Sequence, residues 1–157
     1  MNTKKITSAL LKGIRGKMPP TLVEDGKGMC GVTEDGVVMY IFASCELEVN
    51  PSLMKQNAPG LEQVLKRALA PENGFEAESI NDRKTTWDEG YECALVTLTS
   101  RQTGRSVTIR HELLAVFGKY LTFALDPEKH WVLVYEGGKV YPSGIISGLK
   151  IGIDFDT

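Results

Sequence analysis

The amino-acid sequence predicts an α+β fold, in which one twisted, mainly antiparallel sheet carries helices on one of its faces. Residues 91–141 alternate apolar and polar side chains in segments separated by short polar turns, which is typical of a C-terminal β-meander. Residues 3–17 and 61–69 instead repeat apolar side chains at the spacing of a helix. The composition, with 42% apolar and 24% charged residues, fits a single folded domain over residues 1–157.

A basic amphipathic helix is predicted within residues 1–20. Ile6, Leu10 and Ile14 fall on one face of such a helix, and a pair of prolines ends it. Residues 1–22 contain five of the 18 basic residues and none of the 20 acidic ones, so the rest of the chain is acidic. We expect the helix to dock on the core, although a helix of this kind can also lie on an anionic surface.

A β-hairpin and a second helix are predicted to follow. The hairpin pairs residues 29–33 with residues 37–48, and its turn is Glu34-Asp35-Gly36. The central helix over residues 61–69 places apolar side chains along one face and ends before Pro71. Both helices are expected on the same face of the sheet.

The meander is predicted to contain four strands that pair in sequential order: residues 91–99, 106–117, 120–125 and 130–136. The second of these either bends as one strand or contains a helical turn near residues 112–116. Gly137-Gly138 suits a type I′ turn into residues 139–141. The sequence therefore places most of the sheet in the second half of the chain.

The segments on either side of the meander carry weaker signals. Residues 75–90 are mostly polar, and only a short strand near residues 75–81 is expected there. Residues 145–157 are expected to form an edge strand or an irregular tail. A core shared by the sheet and the central helix is predicted to contain Met39, Ile41, Val64, Leu65, Leu95, Val132 and Val134.

No motif in the sequence predicts catalysis, a cofactor or a metal site. His111-Glu112 begins like a zinc-protease motif, but Ala115 stands where the second histidine is needed. The three cysteines, Cys30, Cys45 and Cys93, are an odd and widely spaced set, which indicates reduced thiols in the cytosol. Apolar neighbours predict that these thiols are inert, and contact between Cys93 and His111 across adjacent strands is the alternative.

The charge and hydropathy patterns narrow the class of partner. No apolar run reaches the ~18 residues that span a bilayer, so no membrane span is predicted. The acidic body disfavours nucleic acid and favours a protein partner of basic character, and a homodimer is left open. Two aromatic side chains beside two acids predict a protein-binding surface at Trp87, Asp88, Glu89 and Tyr91. Trp131 is the other predicted anchor.

The leading hypothesis is a non-enzymatic protein-binding module of the cytoplasm, of inhibitor, immunity or chaperone type. The alternative is a small enzyme or ligand-binding domain with a pocket on the concave face of the sheet. A third hypothesis is an anionic-surface binder that acts through the basic N-terminal helix. A pocket of several hundred cubic ångströms with converging polar groups would favour the alternative.

Overall fold

The computed structural model describes eleven stretches of the chain: residues 4, 8, 21–23, 29–32, 38–41, 55–56, 63, 66–68, 74–88, 91–138 and 142–148. The strands within them are β1 Thr21–Val23, β2 Met29–Val32, β3 Val38–Ile41, β4 Lys55–Gln56, β5 Phe75–Asp88, β6 Tyr91–Thr99, β7 Ser106–Arg110, β8 Leu121–Leu125, β9 Trp131–Glu136 and β10 Gly144–Ser147. A 3₁₀ helix, His111–Val116, lies between β7 and β8.

The described strands form one sheet with the order β4-β1-β2-β3-β10-β9-β8-β5-β6-β7. All neighbours are antiparallel except β1 and β4, which are parallel. The six strands β5–β10 curl nearly into a barrel. Strand β5 makes the bend: Phe75–Ala77 pair with β8, and from Glu78 onward the strand pairs with β6. Register shifts at Asn81 accompany this change of partner, as β-bulges commonly do in strongly bent strands.

The core lies inside this curled sheet. Alternate residues of a strand point to the same face, so each strand contributes every second side chain. The buried cluster contains Val96, Leu98, Val107, Ile109, Val116, Phe117, Leu125, Val132, Val134 and Ile146. Val116 and Phe117 come from the end of the 3₁₀ helix and the residue after it, so the helix extends the core at that point.

The start of β7 lies against the turn between β8 and β9, and the residue after β10 lies against β7, so the two margins of the curled sheet come together. The Arg105 guanidinium donates hydrogen bonds to the backbone carbonyls of Asp126 and Lys129. The N–H of Gly148 donates to the carbonyl of His130 at 2.8 Å. A Cβ atom at Gly148 would lie 2.5 Å from Cγ1 of Val107. The close approach of residue 148 to β7 therefore requires glycine.

The antiparallel sheet is confirmed, but the sequential pairing of the meander is wrong at one step. The strand predicted over residues 106–117 ends at Arg110, and the 3₁₀ helix follows it. Strand β8 then pairs with β9 and β5, not with β7. The physical reason is burial: the helix carries the chain across the core, so that Val116 and Phe117 are enclosed and β8 begins on the opposite wall.

Two further expectations are corrected. The segment from residue 75 forms a strand of 14 residues, because pairing with β6 continues to Asp88 despite the polar composition. The predicted edge strand or tail at 145–157 begins as a central strand, because β10 lies between β3 and β9 and buries Ile145 and Ile146. Residues 149–157 lie outside the described part. Gly137 and Gly138 both have the positive φ predicted for their turn, whereas residues 139–141 are not described.

The helices belong mostly to residues that are not described. Lys4 and Ser8 are helical and exposed, and residues 63 and 66–68 are helical, with Ala68 buried. The packing of helices on one face of the sheet therefore stays a prediction. Of the predicted core, the described side chains are those of Leu95, Val132 and Val134, and all three are buried. The predicted single cluster is wrong for Leu95, because the alternation of β6 puts this side chain on the face opposite Val96 and Leu98.

Candidate functional site

A cleft opens where β5 leaves β8. Beyond Ala77, β5 turns to β6, and among the described strands Leu121 and Thr122 then pair with β9 alone. The resulting cavity has a volume of about 890 Å³. Its lining residues are Gly74, Glu76, Ala77, Glu78, Thr99, Arg101, Gln102, Leu121, Thr122, Phe123, Ala124 and Tyr135.

The polar groups of the cleft lie on the outer face of the sheet. Directly opposed residues of paired strands share a face. Glu78 is opposite Thr99, and Thr122 is opposite Tyr135. The apolar part of the lining comes from side chains that also pack against the core, among them Leu121 and Phe123. The cleft is therefore polar at its mouth and apolar at its floor.

Gly74 allows β5 to begin close to β8. Its φ of +94° is a conformation that L side chains rarely adopt. A Cβ atom at this position would lie 2.9 Å from Cβ of Ala124 and 3.1 Å from Cδ1 of Leu133. Glycine at residue 74 thus sets the end of the cleft at which the two strands meet.

Three charged side chains line the cleft. Glu76 and Glu78 come from β5, and Arg101 comes from the turn between β6 and β7. The Nε of Arg101 lies 2.5 Å from Oε1 of Glu78. The Arg101 side chain is 84% exposed and that of Glu78 49% exposed. Ion pairs at such exposed positions contribute only about 0–1 kcal/mol, so the pair can open at little cost.

The β6–β7 turn itself is held firmly. The N–H of Ser100 donates to the carbonyl of Arg105 at 2.9 Å, and the N–H of Gly104 donates to the carbonyl of Ser100 at 2.8 Å. The buried hydroxyl of Ser100 donates to the side-chain carbonyl of Gln102 at 3.2 Å. The backbone at the cleft wall is therefore fixed, while Arg101 extends from it into solvent.

A buried carboxylate, Asp126, lies outside the cleft in the β8–β9 turn. It accepts hydrogen bonds from Nε and Nη2 of Arg67 at 2.7 and 2.8 Å. The N–H groups of Glu128 and Lys129 each donate to it at 2.8 Å. Burial disfavours the charged form, but these hydrogen bonds outweigh burial and lower the pKa of Asp126. The group joins helical residue 67 to the turn, which is a structural role.

Glu136 is the second buried acid. Gly118 donates its N–H to Oε2 of Glu136 at 2.6 Å. Burial opposes ionisation of this side chain, and hydrogen bonds, including those from Ser143 and Gly118, nevertheless lower its pKa. Glu136 thus ties the segment before β8 to the end of β9, and it does not line the cleft.

The protein-binding residues predicted from the sequence are partly brought together. Asp88 is opposite Tyr91 at the end of the β5–β6 pair, and Trp87 is opposite Glu92. Glu89 lies outside the described residues, as do the side chains of Trp87, Asp88 and Tyr91. Trp131 is half-buried at the start of β9, a strand that pairs with β8 and β10. These residues remain a prediction.

The alternative thiol–histidine pair is not tested by the described residues. Cys93 is opposite Thr86 of β5, and its side chain is not described. His111 begins the 3₁₀ helix directly after β7.

The cleft was not predicted from the sequence. The signal that could have indicated it is the pair Glu76 and Glu78 at alternate positions of β5, which is typical of a strand with one polar face.

Within the described stretches, no helix has the length and hydropathy needed to cross a membrane. The same stretches hold no group of three His, Cys, Asp or Glu side chains suited to a metal ion.

Comparisons with protein-family models, curated proteins and solved structures found no match to this chain.

Proposed function

We propose that the protein is a non-enzymatic binding module that holds a protein partner in the outer-face cleft. The observation that supports this is the position of the cleft beside a strand edge of β8, where exposed polar side chains, including Glu76, Glu78 and Thr122, lie on firmly paired strands. Strands that are paired on one side provide a surface that needs little ordering when a partner binds.

The strand edge beside the cleft favours a polypeptide as the occupant. Leu121 and Thr122 pair with β9 on one side, and β5 has diverged on the other. An extended segment can add to such an edge, where its backbone hydrogen bonds provide affinity and its alternate side chains provide specificity.

An exposed aromatic side chain next to this edge also favours a protein partner. Tyr120 directly precedes β8 and is 86% exposed. Its φ of +58° is uncommon for a residue other than glycine. Tyrosine is enriched among the residues that dominate protein–protein binding energies. An exposed tyrosine with this uncommon backbone conformation is consistent with a contact to a partner.

The charge distribution supports a basic partner, and the odd, widely spaced set of three cysteines supports a cytoplasmic location. The formal net charge of −2 includes the basic N-terminal segment, so the remainder of the chain is more acidic than this value. Complementary charge speeds association and selects the partner. Inhibitors, immunity proteins and chaperones all act by holding a polypeptide. A second copy of this chain can be that polypeptide, in which case the protein forms a homodimer.

The test is a quantitative capture from extracts of the native host with the full chain as bait. Thr122→Arg fills the cleft, and Ala115→Arg adds the same side chain at an exposed position of the 3₁₀ helix. Partners retained by the wild type and by Ala115→Arg should be lost with Thr122→Arg at an unchanged melting temperature. Loss with Trp87→Ala but not with Thr122→Arg would assign binding to the β5–β6 end instead.

A small polar ligand is the second candidate function. The volume of the cleft and the convergence of carboxylate, amide and hydroxyl groups from Glu76, Gln102 and Tyr135 favour it. A panel of polar metabolites should then include one that raises the melting temperature of the wild type and of Ala115→Arg, but not of Thr122→Arg. If no compound does so while capture succeeds, the ligand hypothesis is wrong.

A further inference from the structure

We propose that the β8–β9 turn couples helical residue 67 to the wall of the cleft, so that separation of Arg67 from Asp126 loosens the β6–β7 turn. The coupling runs through Arg105, which is a positioning residue. Arg105 is not among the lining residues of the cleft, and it acts on the cleft through its own turn.

The β8–β9 turn binds two arginines at once, and each arginine uses different groups of the turn. The Asp126 carboxylate accepts two hydrogen bonds from Arg67. The N–H groups of Glu128 and Lys129 donate to the same carboxylate. The backbone carbonyls of Asp126 and Lys129 accept hydrogen bonds from Arg105 instead. These N–H and carbonyl groups belong to consecutive planar peptide units, so a turn that loses its N–H contacts also redirects its carbonyls.

The buried charge makes this arrangement depend on Arg67. The Asp126 side chain is fully buried, and removal of one partner from a buried ion pair leaves an uncompensated charge. The Arg67 side chain is 30% exposed, so a competing group in solvent can reach it. The ion pair is therefore the contact at which an external event can act on the turn.

Arg105 transmits the position of the β8–β9 turn to the cleft. Its carbonyl accepts a hydrogen bond from the N–H of Ser100 at 2.9 Å, which closes the β6–β7 turn. The buried hydroxyl of Ser100 donates to the side chain of Gln102 at 3.2 Å, and Gln102 lines the cleft. A shift of Arg105 therefore moves the backbone that carries Gln102.

Hydrogen exchange of the full chain at the amides of Ser100 and Gly104 tests the coupling. Both amides donate to carbonyls within the β6–β7 turn, so their exchange reports the opening of this turn. Asp126→Asn should speed exchange at both amides about two- to thirty-fold, the range for residues that act on a site through their neighbours. The Phe117 amide, which donates to the carbonyl of Leu114 in the 3₁₀ helix, is the internal reference for a general loss of stability.

Four further variants separate the coupling from other effects. Arg67→Gln opens the same ion pair from the helix and should also speed exchange at the two turn amides. Glu128→Gln removes an exposed acid that lies 3.6 Å from Arg67 and should leave the two amides unchanged. Arg105→Ala should speed their exchange, and Asp126→Asn added to Arg105→Ala should give no further increase.

Three results would overturn the coupling. The first is unchanged exchange at the two turn amides in both Asp126→Asn and Arg67→Gln. The second is equal acceleration of the Phe117 amide, because the effect would then be a general loss of stability. The third is a double variant in which the effects of Asp126→Asn and Arg105→Ala multiply, because Asp126 would then act on the turn without Arg105.

Discussion

Asp126 shows how a single carboxylate can connect distant parts of this chain. It is fully buried, and it receives two hydrogen bonds from Arg67 and two from backbone N–H groups of its own turn. A short polar turn between the strands at residues 120–125 and 130–136 was predicted from the sequence alone, because turn chemistry is local. The contact to Arg67 is 59 residues away along the chain, so no local pattern indicates it.

Asp126→Asn should lower the free energy of unfolding at pH 7 by about 2–3 kcal/mol, because hydrogen bonds to a charged group are lost. Its folded pKa is lower than the unfolded value near 3.9, so its stabilisation is complete above about pH 5 and is lost as the pH falls through the folded pKa. The variant should therefore lose less stability than the wild type on acidification. Urea unfolding at several pH values measures both effects.

Glu128→Gln is the matched control, because Glu128 approaches the same Arg67 at 3.6 Å but is exposed. It should change stability by less than about 0.5 kcal/mol. A loss as large as that of Asp126→Asn would show that general charge, not the buried carboxylate, stabilises the turn.

Tyr120 provides a residue at which stability and binding should separate. Tyr120→Gly relieves the positive φ and should raise the free energy of unfolding by up to about 1 kcal/mol. The same change removes the exposed ring beside the cleft and should weaken partner capture. A variant that is more stable and captures the partner as well as the wild type would remove Tyr120 from the proposed contact.

At the level of elements, the sequence predicted those strands whose signal is local. β6, β8 and β9 were recognised because alternating side chains are bounded by turn residues, and their boundaries were close to those observed. The length of β5 was missed because its polar composition shows no apolar alternation, although its partner β6 follows it directly. The central position of β10 was missed because its partner β3 is distant along the chain. For the segment of the 3₁₀ helix, the sequence allowed either a bent strand or a helical turn. Its apolar residues fit a strand as well as a helix until the position of β8 is known.

The central position of β10 predicts a large cost for its inner side chain. Ile146 is fully buried, so Ile146→Ala should lower the free energy of unfolding by about 2–5 kcal/mol. Leu121→Ala truncates a half-buried side chain at the start of β8 and should cost less. Urea unfolding gives both values, and an Ile146 variant that loses no more than the Leu121 variant would contradict a central β10.

At the level of the whole molecule, the cleft is built from parts that no sequence motif connects. Its walls come from residues 74, 76–78, 99, 101–102, 121–124 and 135, which meet where β5 changes partner. The sequence instead predicted a binding surface at the end of the same strand, at Trp87 and Asp88, because aromatic and acidic residues are adjacent there. The point at which a strand changes its partner depends on tertiary pairing, and the composition of the strand does not indicate it.

The central claim is that the partner occupies the cleft where β5 leaves β8. Hydrogen exchange of the full chain, with and without the captured partner, tests this claim most directly. Added strand pairing slows amide exchange at the edge that it covers. We predict new protection at Leu121 and Thr122, the part of β8 that β5 leaves, and none in the 3₁₀ helix. Unchanged amide exchange at this edge of β8, with protection instead at residues 87–91, would contradict binding in the cleft.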